Sequence, residues 1–142
     1  MGRRRVVLDD ELDGFVLKEG RAVYRPAGLV TFGGAVALVR AAIARALMNR
    51  ASELLVDTTA LDGFPSPNTF ERFLAAVRWA EEARGRLRLA MVARAEMIDP
   101  EKFGVTIATS RGLESNIFTT EAEARAWLDA GPGPDPLTPL GY

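Results

Sequence analysis

The order of elements along the chain predicts an α/β fold, a mixed sheet of about five strands with an antiparallel start and a parallel centre, packed by about four helices. Three observations carry that prediction. Short strand-like segments open the chain, separated by Asp13-Gly14 and Glu19-Gly20, which supply turn conformations for antiparallel neighbours. Beyond them, apolar runs of strand length alternate with segments of helical period. Leu54-Leu55-Val56, ending at Asp57, is an uninterrupted apolar run of the kind found in a parallel strand covered by helices on both faces.

In order, Arg5-Val6-Val7-Leu8, Phe15-Val16-Leu17-Lys18 and Arg21-Ala22-Val23-Tyr24-Arg25 read as strands of a meander, broken by Pro26, Ala27 and Gly28. Thr31 caps a helix to about Asn49, with Val36, Val39, Ile43 and Leu47 on one face and Arg40, Arg45 and Arg50 largely off it. Gly33-Gly34 lacks the spacing of a phosphate-binding loop and is assigned to close packing at the helix start. After the central strand and a loop from Thr58 to Pro65, Ser66 as N-cap and Pro67 in the first turn open a second helix with the stripe Phe70, Phe73, Leu74 and Val77, ended by Gly85.

The strand Leu87 to Ala93 follows, with Arg86 and Arg88 on its solvated side. Asp99-Pro100 opens a third helix carrying Phe103 and Ile107 that stops at Gly112, and Asn116-Ile117-Phe118 is the last strand. Thr120-x-x-Glu123 is a capping box before a short helix with Trp127 and Leu128. Residues 1–130 read as a single domain, and from Gly131 a run rich in proline and glycine reads as a disordered tail.

Composition excludes whole classes of chemistry. Among 142 residues there is no cysteine and no histidine, which removes thiolate zinc sites, redox pairs, Ser-His-Asp triads and Cys-His nucleophiles. No cofactor or metal is expected. Eighteen basic residues against 19 acidic leave no field to gather phosphate backbones, so nucleic-acid binding is not expected. No segment has the apolar length of a membrane span, and with no cysteine the expected location is cytoplasmic.

The segment from Asp57 to Ser66 concentrates hydroxyls and carboxylates at the carboxyl end of the central strand, where α/β sheets open ligand crevices. Asp57, Thr58, Thr59 and Asp62 are read there either as ligand or partner contacts or as residues that tie the turn. Asp57 and Asp62 also suggest the alternative of a small enzyme using carboxylates and hydroxyls of this loop. Trp79 lies about 180° from Phe70 on a helical wheel, which makes it a candidate contact with a protein partner or second copy, against lateral packing on a neighbouring helix.

Glu53-Leu54-Leu55-Val56-Asp57, Leu89-Ala90-Met91-Val92 and the ending from Ile117 through Thr120-Glu121-Ala122-Glu123 to Ala126-Trp127-Leu128 together resemble the SpoIIAA-like branch of the STAS domains. The resemblance covers about Phe15 to Leu128. That group includes anti-sigma-factor antagonists and is often discussed beside Sec14-like lipid-binding domains. It implies a SpoIIAA-like fold and a non-catalytic binding or regulatory module, whose ligand is a protein partner or a lipid-like molecule held between helices and sheet. In the antagonists a phosphorylated serine begins the helix after this loop, and Ser66 stands in a comparable place as a phosphorylation candidate. Here the turn reads Phe64-Pro65-Ser66-Pro67-Asn68, where those regulators carry an Asp-Ser-Ser-Gly-Leu-Gly-like turn.

Overall fold

The computed structural model describes residues 12–132. The expected strand Arg5-Val6-Val7-Leu8 and the proline-rich end from residue 133 on lie outside them. Strands β1 (Phe15–Lys18) and β2 (Arg21–Tyr24) form an antiparallel hairpin. Its two loop residues, Glu19 and Gly20, both have positive φ, the backbone that matches the right-handed twist of the flanking strands. From β2 onward the sheet is parallel. Strand β4 (Glu53–Asp57) pairs with β2, β6 (Arg88–Val92) with β4, and β7 (Ser115–Phe118) with β6, giving the order β1-β2-β4-β6-β7.

The expected α/β architecture is therefore present, an antiparallel start running into a parallel centre. Two short strands were not expected. β3 (Ala27–Leu29) and β5 (Ala60–Asp62) pair in parallel as a separate ribbon, where the sequence reads as a break and a loop. Three-residue strands of alanine, glycine and leucine carry no periodic signal. Gly63 permits the approach: its φ is +111°, and a Cβ there would stand 2.3 Å from the Val30 carbonyl oxygen.

Helices α1 (Phe32–Met48), α2 (Thr69–Ala83) and α3 (Phe103–Ser110) pack on one face of the sheet, against Leu54, Val56, Leu89 and Met91. Helix α4 (Glu121–Asp129) covers the other face, against Leu55, Ala90 and Val92. Period-two alternation places adjacent residues of β4 and β6 in opposite layers, which is why both strands read as continuous apolar runs. The Thr31 hydroxyl accepts from the Gly34 N–H at 3.0 Å, so α1 starts as its sequence predicts.

Helix α2 departs from expectation in two ways. Its N-cap is Asn68, not Ser66. Asn68 Oδ1 accepts from the Glu71 N–H at 2.8 Å and the Glu71 carboxylate accepts from the Asn68 N–H at 2.9 Å, a complete capping box. The reciprocal box expected at Thr120 is only half formed: Thr120 Oγ1 accepts from the Glu123 N–H, but the Glu123 carboxylate accepts from the Thr119 and Thr120 hydroxyls. The buried side of α2 is also not the stripe of large apolar residues. Ala75, Ala76, Ala80 and Ala83 are buried, while Phe70 is 67% exposed. Small side chains bring α1 and α3 close to α2, and close approach displaces the bulkier residues to the flanks.

Arg88, expected on a solvated strand entry, is the one charged side chain buried among the described residues. Its guanidinium donates to the carbonyls of Leu128 and Trp127, at 3.2 and 3.4 Å, lies 4.4 Å from the Trp127 ring centre, and pairs with Glu53 and Glu114 at 3.4 and 3.3 Å. A cation placed on the last carbonyls of α4 complements the negative end of its dipole. Replacing Arg88 with Met removes that cap and leaves Glu53 short of a partner, so urea denaturation should show a loss of about 3 kcal/mol; a change below about 0.5 kcal/mol would mean that α4 docks without it.

Candidate functional site

The polar loop after β4 divides between the two faces of the sheet. Asp57 continues the alternation of Leu55 and faces the α4 layer, where its Oδ1 accepts from the Thr59 N–H at 2.9 Å and the Thr59 hydroxyl at 2.6 Å. That closes a local turn of the Asx type. Beside it, the Glu121 carboxylate forms a bidentate pair with Arg25 at 2.8 and 2.9 Å. Hydrogen bonding to Arg25 is the largest cause that holds the Glu121 carboxyl down at about 2, against the upward push of burial, with further lowering from the Asp57 side chain and the charges of Arg25 and Arg125.

Thr58 points the other way. Its N–H and hydroxyl both donate to the Val92 carbonyl, at 2.8 and 3.0 Å, and tie the end of β4 to the end of β6. Asp62 is exposed and accepts from Arg94 at 3.1 Å, while the Ser66 hydroxyl oxygen accepts from Arg72 at 3.1 Å. Asp57 and Asp62 are thus held by different partners in different layers, and the structure does not bring them together as an acid/base pair. Nor does the strand order reverse anywhere in the parallel sheet, so no switch-point crevice opens at Asp57.

The concave feature lies on the opposite side of the loop. A cavity of about 150 Å³ sits between the sheet and the layer of α1, α2 and α3. Phe32, Val36 and Val39 of α1, Leu89 and Met91 of β6, and Ile117 of β7 supply apolar walls, and Thr58, Leu61 and Phe64 bring the loop to one end. Trp79 belongs to this wall. It is half-buried against the core and its Nε1–H donates to the Val36 carbonyl at 3.1 Å, so the packing alternative holds for it. A cavity of this size admits a molecule as large as benzene.

Two arginines close the loop end. Arg94 donates to the carbonyls of Thr59 and Leu61, each at 3.1 Å, and pairs with Asp62 and Glu96. Arg72 donates to the Pro67 carbonyl, the Ser66 hydroxyl and, at 3.0 Å, the Met97 carbonyl, which joins the loop before α2 to the segment before α3. Sequence reasoning singled out neither. One signal was available: Arg72, Ala76, Trp79 and Ala83 recur at spacings of four, three and four, a helical face hidden because it contains so little hydrophobic bulk.

No protein-family model matches the sequence, and no curated protein matches it. Site geometry therefore stands alone.

The capping assignments are tested by a pair of alanine variants: Asn68→Ala should lower stability by about 1 kcal/mol and Ser66→Ala by less than about 0.5 kcal/mol in urea titrations. The Glu121 carboxylate gives a pH signature. Its pKa is depressed in the folded chain, so its contribution is fully present above the ordinary carboxylate range and fades as pH falls from about 4.5 towards 2. Glu121→Gln should therefore show a shallower loss of stability between pH 5 and 3 than the unaltered chain; identical slopes would contradict the assignment.

Proposed function

We propose that the protein is a non-catalytic binding module that holds a small lipid-like, apolar molecule in the cavity between its sheet and its three-helix layer. The observation that carries the proposal is the lining itself. Ala75, Ala76, Gly104 and Ala108 border the space, positions where a single larger apolar side chain would close it. An interior left open by small residues on two neighbouring helices is better explained by an occupant than by poor packing.

Other features favour a ligand over a partner or a reaction. Trp79, weighed as a partner contact against lateral packing, packs on α1 with its Nε1–H on the Val36 carbonyl. Asp57 and Thr59 satisfy each other, Asp62 is paired with Arg94, and Asp99, the carboxylate in the cavity lining, accepts from the Phe103 N–H. Among the described residues no three His, Cys, Asp or Glu side chains gather as a metal site. The reading includes kinship with the SpoIIAA-like STAS domains, supported by the antiparallel start and parallel centre of the sheet, and a cytoplasmic location. No described helix is long and apolar enough to cross a membrane.

Native mass spectrometry of gently purified protein should show extra mass that denaturation releases. Ala76→Leu, directed into the space, should abolish that adduct while shifting the melting temperature by no more than about 4 °C, because it fills a void and does not overpack a closed core. A clean chain mass, together with an Ala76→Leu loss of more than about 2 kcal/mol, would overturn the proposal.

A further inference from the structure

The cavity's polar end distinguishes among ligands once each polar side chain lining it is matched to its partners. Thr58 is used by the Val92 carbonyl, and Asp99 Oδ2 accepts from the Phe103 N–H at 2.8 Å. Arg94 is neutralised by Asp62 and Glu96. Lys102 donates to Asn116 Oδ1 at 2.7 Å and its ammonium lies 5.2 Å from the Phe118 ring centre. Phe118 packs with the α4 layer, so Lys102 is held at the sheet edge of the cavity lining.

Arg72 is different. It is half-buried, and its three hydrogen bonds all go to neutral oxygens, those of Pro67, Ser66 and Met97. It forms no ion pair with any described residue. Three of five guanidinium donors are occupied, which leaves an N–H of Nη1 and the Nε–H without an acceptor among the described residues. A full positive charge, partly withdrawn from water and bordering an apolar space, attracts an anion more strongly than it would at an open surface. These two donors diverge and belong to no free fork, so an anion is met by a single charge-assisted N–H, and a carboxylate is a small organic head group that accepts one.

We infer that the ligand is a small monocarboxylate, with an apolar body the size of an aromatic ring lying among Val36, Trp79 and Met91 and its carboxylate at Arg72. The inference rests on the ligand-binding proposal and specifies its chemistry. A ring-sized body matches a cavity of about 150 Å³, which is far too small for a two-chain lipid. The carboxylate accepts from one unused guanidinium N–H without displacing the contacts to Ser66 and Met97.

Calorimetry on the full chain with benzoate, benzamide and benzylamine separates head from body, because the three share a ring and differ in charge. Benzoate should bind more tightly than benzamide by on the order of tenfold, and benzylamine most weakly. In Arg72→Met the benzoate-to-benzamide ratio should fall to near one, in Arg72→Lys most of the preference should survive, and the exposed control Arg86→Met should leave the ratio unchanged. Equal affinities for benzoate and benzamide in the unaltered chain would overturn the carboxylate inference while the cavity proposal stands, and that comparison needs no variant to fold. A preference that persists in Arg72→Met would overturn it too, by assigning the charge to another group. If none of the three probes binds, the carboxylate inference and the cavity proposal fall together.

Discussion

The Arg88 guanidinium is the contact on which the two-layer arrangement turns. Three helices of 17, 15 and 8 residues cover one face of the sheet, whereas a single helix of 9 covers the other. A helix that short has little intrinsic stability in water, so it persists through what it is tied to. Arg88 supplies that tie at its carboxyl end, where two α4 carbonyls and the Trp127 ring meet the charge. At the amino end Glu121 is fixed to Arg25, so both poles of the helix carry a charge of the favourable sign. Glu53 couples the arrangement back to the hairpin by pairing with Arg21 as well as Arg88, and Arg21 reaches Asp129 of α4. The cost of burying Arg88 is thereby met by several oxygens at once, which is the condition under which a buried charge is tolerated.

The opposite layer is governed by size and not by charge. Ala76, Ala80 and Ala83 on α2, with Ala42 and Ala46 on α1, let helix backbones approach closely at one end of the layer. Towards the loop end the same economy of side chains has the reverse result, because Phe32, Phe64 and Trp79 hold the elements apart around space that alanine and glycine do not fill. Phe32 and Phe64 meet edge to face at 5.8 Å and link the start of α1 to the loop before α2. Close packing and an open cavity therefore arise from one compositional choice, applied at two distances from the aromatic props.

Much of the fold was legible because its signals are local or periodic. The hairpin turn at Glu19-Gly20, the Thr31 cap, the apolar runs of β4 and β6 and the stop at Gly112 each follow from a few adjacent residues. The element order then fixes the parallel centre through right-handed crossovers. What could not be read depends on distant partners. Nothing in the neighbourhood of Arg88 shows that it meets the end of a helix 40 residues later. Hydrophobic bulk identified the wrong side of α2 because large residues usually mark the core, whereas here the inward side is made of alanines. Of the two readings open for Trp79, the packing one matches its place on α1 and in the cavity wall. Asp57 to Ser66 was correctly seen as a concentration of polar groups, but the alternation of β4 sends Asp57 to the far layer, and only Thr58 remains at the cavity.

Unfilled apolar space has an energetic consequence for the fold as a whole. At roughly 24 cal/mol per Å³, a fully enclosed void near 150 Å³ forfeits on the order of 3–4 kcal/mol relative to a filled interior, which is the upper limit for a cavity with a mouth. For a domain whose total stability is on the order of 5–15 kcal/mol, that is a substantial fraction. The forfeited energy is recoverable by any molecule that fits, since binding to the folded state alone stabilises it in proportion to the logarithm of ligand concentration over Kd. Arg72 and Arg94 tie the elements around the cavity mouth through hydrogen bonds to backbone carbonyls. For the proposed ligand, recognition and stability would be a single equilibrium, governed by how well the occupant replaces the side chains that Ala75, Ala76, Gly104 and Ala108 lack.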